Sequence, residues 1–192
     1  MSKLIAQRGM DIKNIKLVPY NPEWEQWFLD DKAILEKRLA KLGLNDVTID
    51  HIGSTAIPTI SHAKPVIDIV MGFENGTSLI EVYNDFSTNG FNKKSDCKCS
   101  QAWHVYSCIN VCNEASWENL RSRIHLILKE ERMYEKYLLF KRYMKEFPDE
   151  AKRYVELKQK CLQENKDINQ YTKSKRDFLD EINAKASMLF EI

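Results

Sequence analysis

One aspartate interrupts an otherwise apolar run. Val66-Ile67-Asp68-Ile69-Val70-Met71 reads as a strand covered on both faces, and Asp68 is its only charged residue. An ionised carboxylate there is costly unless a cation pairs with it or a metal coordinates it. Upstream lies Gly53-Ser54-Thr55. The glycine admits close backbone approach, and the hydroxyls and amides that follow can meet a phosphate. Lys64 stands between the two stretches. Two readings stay open: Lys64 pairs with Asp68 and the acid is structural, or Lys64 neutralises phosphate and Asp68 looks into a site.

Asp50 and His125, expected on neighbouring strands, complete a candidate metal set with Asp68. Nitrogen with carboxylate suits Mn2+ or Zn2+ better than Mg2+. His51 and His125 are, however, more often structural hydrogen-bonding residues than ligands. In a regular strand Asp50 and His51 point to opposite sides, so only one of them can face a cleft. A second cluster, Cys97, Cys99, His104, Cys108 and Cys112, has zinc-type ligands. Its spacings are not common zinc spacings, and structural cysteine is the expectation.

The elements that must position these groups follow from periodicity. Ile15 to Val18 reads as a short strand ended by Pro19, and Asn21 caps a helix with apolar positions from Trp24 to Leu42, stopped by Gly43. Val47 to Ile52 alternates as a strand, Ser54 to Ile60 holds a short helix, and Ser78 to Phe86 suits a longer one. Strands are expected from Gly90-Phe91 and over Trp103 to Ile109. In Arg121-Ser122-Arg123-Ile124-His125-Leu126-Ile127-Leu128, the residues Ile124, Leu126 and Leu128 share one face. Arg121, Arg123 and His125 share the other, and that polar side could line a site. From Glu130 the pattern turns helical, with Met133, Tyr137, Phe140 and Met144 on one stripe, a new helix at Pro148, and a third from about Asn169 to Leu189. The expected class is α+β: one domain over residues 1–192, with a small mixed-sheet core over about 15–129 and a C-terminal helical lobe over about 130–192.

Several of these stretches resemble the GrpB-like family of bacterial proteins, in the same order and at similar spacing. They are VPYNPEW, DHIGSTAIP, AKPVIDIVMG, RIHLIL, FKRYMKEFPDEAKRYVELKQKC and YTKSKRDFL, spread from about Ile15 to Leu179. The resemblance implies the nucleotidyltransferase superfold, in which a Gly-Ser turn precedes a strand bearing metal-binding carboxylates. It implies transfer of a nucleoside monophosphate with one or two Mg2+ or Mn2+ ions held by carboxylates. Asp68 matches the carboxylate position, and Gly53, Ser54 and Thr55 match the phosphate turn. Lys64, Arg142, Lys158, Tyr171 and Lys175 lie in family-like motifs and are expected to face the cleft. A second carboxylate two residues from Asp68 is missing, since those positions are Val66 and Val70. Thr59 and Arg123 stand where the family often has glycine and histidine.

Bulk composition excludes other classes. Hydrophobic residues make up 43% and charged residues 30%, and the net charge is only +1, which gives no general case for nucleic acid or membrane binding. No apolar window approaches membrane-spanning length, and the N-terminus lacks a signal-peptide core, so a cytoplasmic protein is expected. The leading functional expectation is a nucleotidyltransferase-fold protein that binds a nucleotide or phosphorylated small molecule and passes a nucleotidyl group to an unknown acceptor. The alternatives are a catalytically degenerate nucleotide-binding or regulatory module, and a protein-interaction module.

Overall fold

Asn21 and Gly43 bracket the first long helix, α1 (Glu23–Lys41). Asn21 Oδ1 accepts the Glu23 N–H at 3.0 Å, and Gly43, at φ 72°, takes the left-handed turn beyond the last carbonyls. Trp24, Trp27, Phe28, Leu35 and Leu39 form its buried stripe, whereas Ile34, expected to join them, is 49% exposed. In the computed structural model the described residues are 10–11, 16–88, 92–93, 107–113, 116–164, 171 and 173–190.

Short strands β1 (Met10–Asp11) and β2 (Val18–Pro19) precede α1. After it come β3 (Thr48–Ile52), a 3-10 turn (Ser54–Ala56), β4 (His62–Ala63), β5 (Ile67–Phe73) and helix α2 (Gly76–Thr88). Strands β6 (Asn92–Lys93), β7 (Ser107–Asn113) and β8 (Ser116–Leu128) complete the sheet region. Helices α3 (Arg132–Glu146), α4 (Pro148–Glu164) and α5 (Arg176–Phe190) form the lobe. The main sheet runs β3-β5-β8-β7-β6, with β1 also on β8, while β2 and β4 pair separately. Among the described residues only β5 and β8 pair in parallel, and the crossover that a parallel pair requires passes through α2, β6 and β7. This is the expected α+β class with its small mixed sheet and C-terminal helical lobe.

Register sorts the central side chains into two faces. His51, Ile69 and Ile124 form one rung, and Ile49, Met71 and Leu126 the next; this face packs against α1 and α2 through Trp24, Phe28, Leu35, Val82 and Phe86. The opposite face carries Ile52-Asp68-Arg123, then Asp50-Val70-His125, then Thr48-Gly72-Ile127. Tyr134, Tyr137 and Leu138 of α3 cover it. Gly72 is what lets α3 settle, because a Cβ there would meet Tyr134 Cε2 and Thr48 Oγ1, both at 2.6 Å.

The helical lobe has its own core of Leu139, Phe140, Met144, Tyr154, Phe178 and Ile182. Pro148 opens α4 at a first-turn position, where a missing N–H costs nothing. Ala56, Ile57 and Ile60, from the segment after the Gly-Ser turn, belong to this lobe core rather than to the sheet's. Thr59 adds a tether by donating its hydroxyl to the Met144 carbonyl at 2.7 Å. The short helix expected over Ser54 to Ile60 shrinks to one 3-10 turn, since Pro58 has no N–H with which to continue it. The expected strand starts at Ile15 and Gly90-Phe91, like Cys97, Cys99 and His104, lie outside the described residues. Among the described residues no helix is long and apolar enough to cross a membrane.

Candidate functional site

The site grows from the meeting of two chain segments. β3 ends at Ile52, and Gly53 then turns at φ 72° and ψ −171°, a conformation open almost only to glycine. Directly beneath it is Asp68: a Cβ on Gly53 would stand 2.7 Å from Asp68 Oδ2. The glycine is therefore required twice, once by its backbone and once by the acid it covers. The turn is held from behind. The Thr55 hydroxyl donates to the Val66 carbonyl at 3.2 Å, and His51 Nε2 lies 3.0 Å from Thr55 Oγ1. His51 is buried and stacks on Phe28 with ring centroids 4.8 Å apart, so it supports the turn from the α1 side. Burial lowers its pKa to about 4. Thr55→Val should remove this brace at a cost of about 1–2 kcal/mol, seen as a fall of roughly 3–6 °C in thermal denaturation. An unchanged midpoint would show that the bridge carries no weight.

In front of the turn lies a cleft of about 440 Å³ between the sheet end and the lobe. Seven of its lining side chains are Lys or Arg and two are Asp. Arg123 faces Asp68 across the β5–β8 pairing, with a guanidinium nitrogen 3.7 Å from Oδ1. Lys158 of α4 reaches down to donate to the His62 carbonyl at 2.5 Å and to Ser54 Oγ at 3.3 Å. Tyr171 is fully buried, with Lys175 Nζ 3.9 Å and Lys64 Nζ 5.3 Å from its ring centre. Lys158 and Lys175 are themselves buried. Burial first, and then repulsion from neighbouring lysines, lowers both pKa values to about 7. At the sheet end one carboxylate thus sits among several cations, two of which have been taken out of water. An entering anion would restore the balance.

Of the residues expected at the site, Gly53, Ser54, Thr55, Lys64, Asp68, Lys158, Tyr171 and Lys175 line this cleft together. Arg142 does not. It projects from the outer side of α3, with its guanidinium 3.7 Å from the Phe190 ring centre and a hydrogen bond to Glu146 at 3.2 Å. The proposed metal set is not brought together either. Asp50 shares a face with Asp68 but lies one rung further along, where the Tyr134 hydroxyl donates to it at 3.5 Å. His125 is two strands from Asp50 with Val70 between them, a separation of about 10 Å. It packs on Tyr137, whose Oη is 3.4 Å from Nδ1, and burial lowers its pKa to about 4. Among the described residues no group of three His, Cys, Asp or Glu side chains could hold a metal ion. A single acid among lysines is a sparse donor set for a divalent cation held by protein groups alone.

Several cleft residues carried no strong sequence signal. Lys136, Tyr154, Lys173, Arg176 and Asn183 all line it. Arg123 stands out in the sequence as part of the polar side of its strand and as a departure from the family's histidine.

A family model described as GrpB protein matches residues 14–185. The Bacillus subtilis relative UPF0157 protein YqkA is 26% identical over 176 residues, which are 90% of this chain and 48% of that protein. The chain thus spans about half the length of that relative. The crystal structure of conserved protein GrpB from Enterococcus faecalis matches with a TM-score of 0.74 at 22% identity, covering 92% of this chain and 100% of that one, which shows a common fold. A structure of the Cid1 poly(U) polymerase with MgGTP bound matches at a TM-score of 0.44 and 13% identity, over 80% of this chain and 44% of that one.

Proposed function

The chain belongs to the GrpB family, and from that footing we propose that its cleft binds a nucleotide or another phosphorylated small molecule, with the phosphates held by Lys64, Lys158 and Lys175. The observation that carries this reading is the cation excess around one acid in a partly buried cleft. Packing like charges out of water is destabilising, so the arrangement makes sense as a receptor for multiple negative charge. Ser54, already within reach of Lys158, offers a hydroxyl at the same end. A structural salt link alone would need one lysine beside Asp68, and the cleft supplies several cations.

The transferase reading implied by the Gly-Ser and aspartate motif asks for more. It needs carboxylates that hold metal ions over the reacting phosphate. Val66 and Val70 occupy the positions where a partner for Asp68 would stand, and Arg123 is paired with Asp68 instead. Those observations favour the second reading, a nucleotide-binding or regulatory module that keeps the pocket without the metal chemistry.

Titration calorimetry with ATP, CTP, GTP, UTP and tripolyphosphate tests the proposal, with and without Mg2+ or Mn2+. Binding is expected with at least one of them, weakened about tenfold or more in Lys158→Met. Heat from none of these ligands under any metal condition would end the proposal. Metal-independent binding with no pyrophosphate released would select the module over the transferase, and metal-dependent release would select the reverse.

A further inference from the structure

Among the cleft-lining side chains whose buried polar atoms lack a hydrogen bond in the described residues are Asp68 Oδ1, Tyr171 Oη and Asn183 Oδ1. Such atoms are rare, because each forfeits its hydration without a hydrogen bond in return, although the Asp68 oxygen has the Arg123 guanidinium 3.7 Å away. Their gathering around a single cleft marks it as a place built for a polar guest.

They also lie along its length. Asp68 is at the sheet end under Gly53, Tyr171 stands between Lys64 and Lys175, and Asn183 is on α5. On α5 the lining residues Arg176, Leu179, Asp180 and Asn183 recur every three or four positions. On α3 Met133, Lys136, Tyr137 and Phe140 do the same, so two helical stripes face each other across the groove. An ion pair between Lys136 and Asp180, at 3.9 Å, joins them. The two ends therefore differ. Buried lysines crowd the sheet end, while the helical end sets apolar side chains and one uncharged carboxamide beside Arg176 and the Lys136–Asp180 pair.

A bare phosphate chain would use only the first end and leave much of the 440 Å³ unfilled. A lipid tail would suit Phe140 and Leu179 but leave Asn183 unpaired. A sugar would set hydroxyls against apolar walls. A flat heterocycle satisfies both requirements, since its faces are apolar and its edge carries donors and acceptors. The carboxamide turns about a broad terminal torsion and can present oxygen or nitrogen to such an edge.

We propose that the α3–α5 end of the cleft holds a nucleobase, with Asn183 hydrogen-bonding its edge, so that the ligand is a nucleoside phosphate rather than a free polyphosphate or a sugar phosphate. This rests on the basic end being a phosphate site. The test measures affinities of the native protein and Asn183→Leu for ATP, CTP, GTP, UTP, ribose 5-phosphate and tripolyphosphate at one ionic strength. At least one nucleotide should bind about tenfold or more tighter than tripolyphosphate and ribose 5-phosphate. Asn183→Leu should weaken that nucleotide about tenfold and leave tripolyphosphate unchanged. If Asn183→Leu does not fold, Asn183→Ala gives the same comparison, and the ranking of ligands by the native protein stands without either variant. Tripolyphosphate binding as tightly as every nucleotide, or a variant that weakens both alike, overturns the base site and leaves the phosphate site intact. Binding of none of the ligands overturns both.

Discussion

Gly53→Ala is expected to lower the melting midpoint by about 10 °C. Two costs add. An L-residue forced to φ 72° and ψ −171° loses roughly 1–3 kcal/mol. The added Cβ also meets Asp68 Oδ2 at 2.7 Å and Asp68 Cβ at 3.2 Å, so the carboxylate must swing away from Arg123 and the strand beneath the turn must give. Together these amount to about 3–5 kcal/mol, and each kcal/mol moves the midpoint of a chain this size by roughly 2–4 °C. The two costs separate in a double-mutant cycle. Asp68→Ala removes the collision but not the backbone strain, so the pair should show a favourable coupling of about 1–2 kcal/mol. Thermal or urea denaturation of the four proteins reads this directly. A Gly53→Ala midpoint within 2 °C of the parent, a threshold well inside the expected shift, would mean the turn is not shaped as described.

The second large effect concerns pH, and it has opposite signs with and without ligand. Lys158 and Lys175 have folded-state pKa values of about 7, against 10.5 for an ordinary lysine. Burial is the main cause, with Lys64 adding repulsion to both and Lys175 to Lys158. Between those values the unfolded chain binds more protons than the folded one, so the ligand-free protein gains stability as pH rises from about 7 towards 10.5. Phosphate binding needs the ammonium forms. Affinity for tripolyphosphate should therefore fall between roughly tenfold and a hundredfold from pH 7 to pH 8.5, while the melting midpoint of the free protein climbs. Binding at pH 8 should take up protons, measurable by calorimetry in buffers of different ionisation enthalpy. Lys175→Met sharpens the point. It removes a buried charge, so the free protein should melt higher while its affinity drops about tenfold or more. Pairing the two signs matters, because a purely structural lysine would lose stability on replacement and leave the anion unaffected.

Much of this site could be anticipated because its members break a pattern. Asp68 is conspicuous as one charge in an apolar strand, and Gly53 as a glycine just past a strand end. Strand alternation also placed Asp50 and His51 correctly on opposite faces. It could not show that neither reaches the cleft, since that depends on α3 descending over Gly72 and covering the Asp50 rung with Tyr134. Lys64 stands out by its place between the turn and the acid, whereas Lys158, Tyr171 and Lys175 enter only through motif resemblance, and no local pattern marks them. Arg142 failed for a geometric reason. Phe140 faces the lobe core and Lys141 turns to donate to the His51 carbonyl at 2.8 Å, which leaves the next residue on the outer side of α3. Asn183 was invisible because a lone polar residue on an amphipathic helix looks like any solvated position. Its standing comes from which helix lies opposite, a fact that belongs to the tertiary structure.

The aliphatic residues that follow the Gly-Ser turn are rooted in the far half of the molecule. Ala56, Ile57 and Ile60 act as stitches through both walls of the vessel, so floor and roof cannot swing apart like a clam shell without pulling oily threads into water. A guest must fit the gap as it is woven, entering through side-chain movements at the rim.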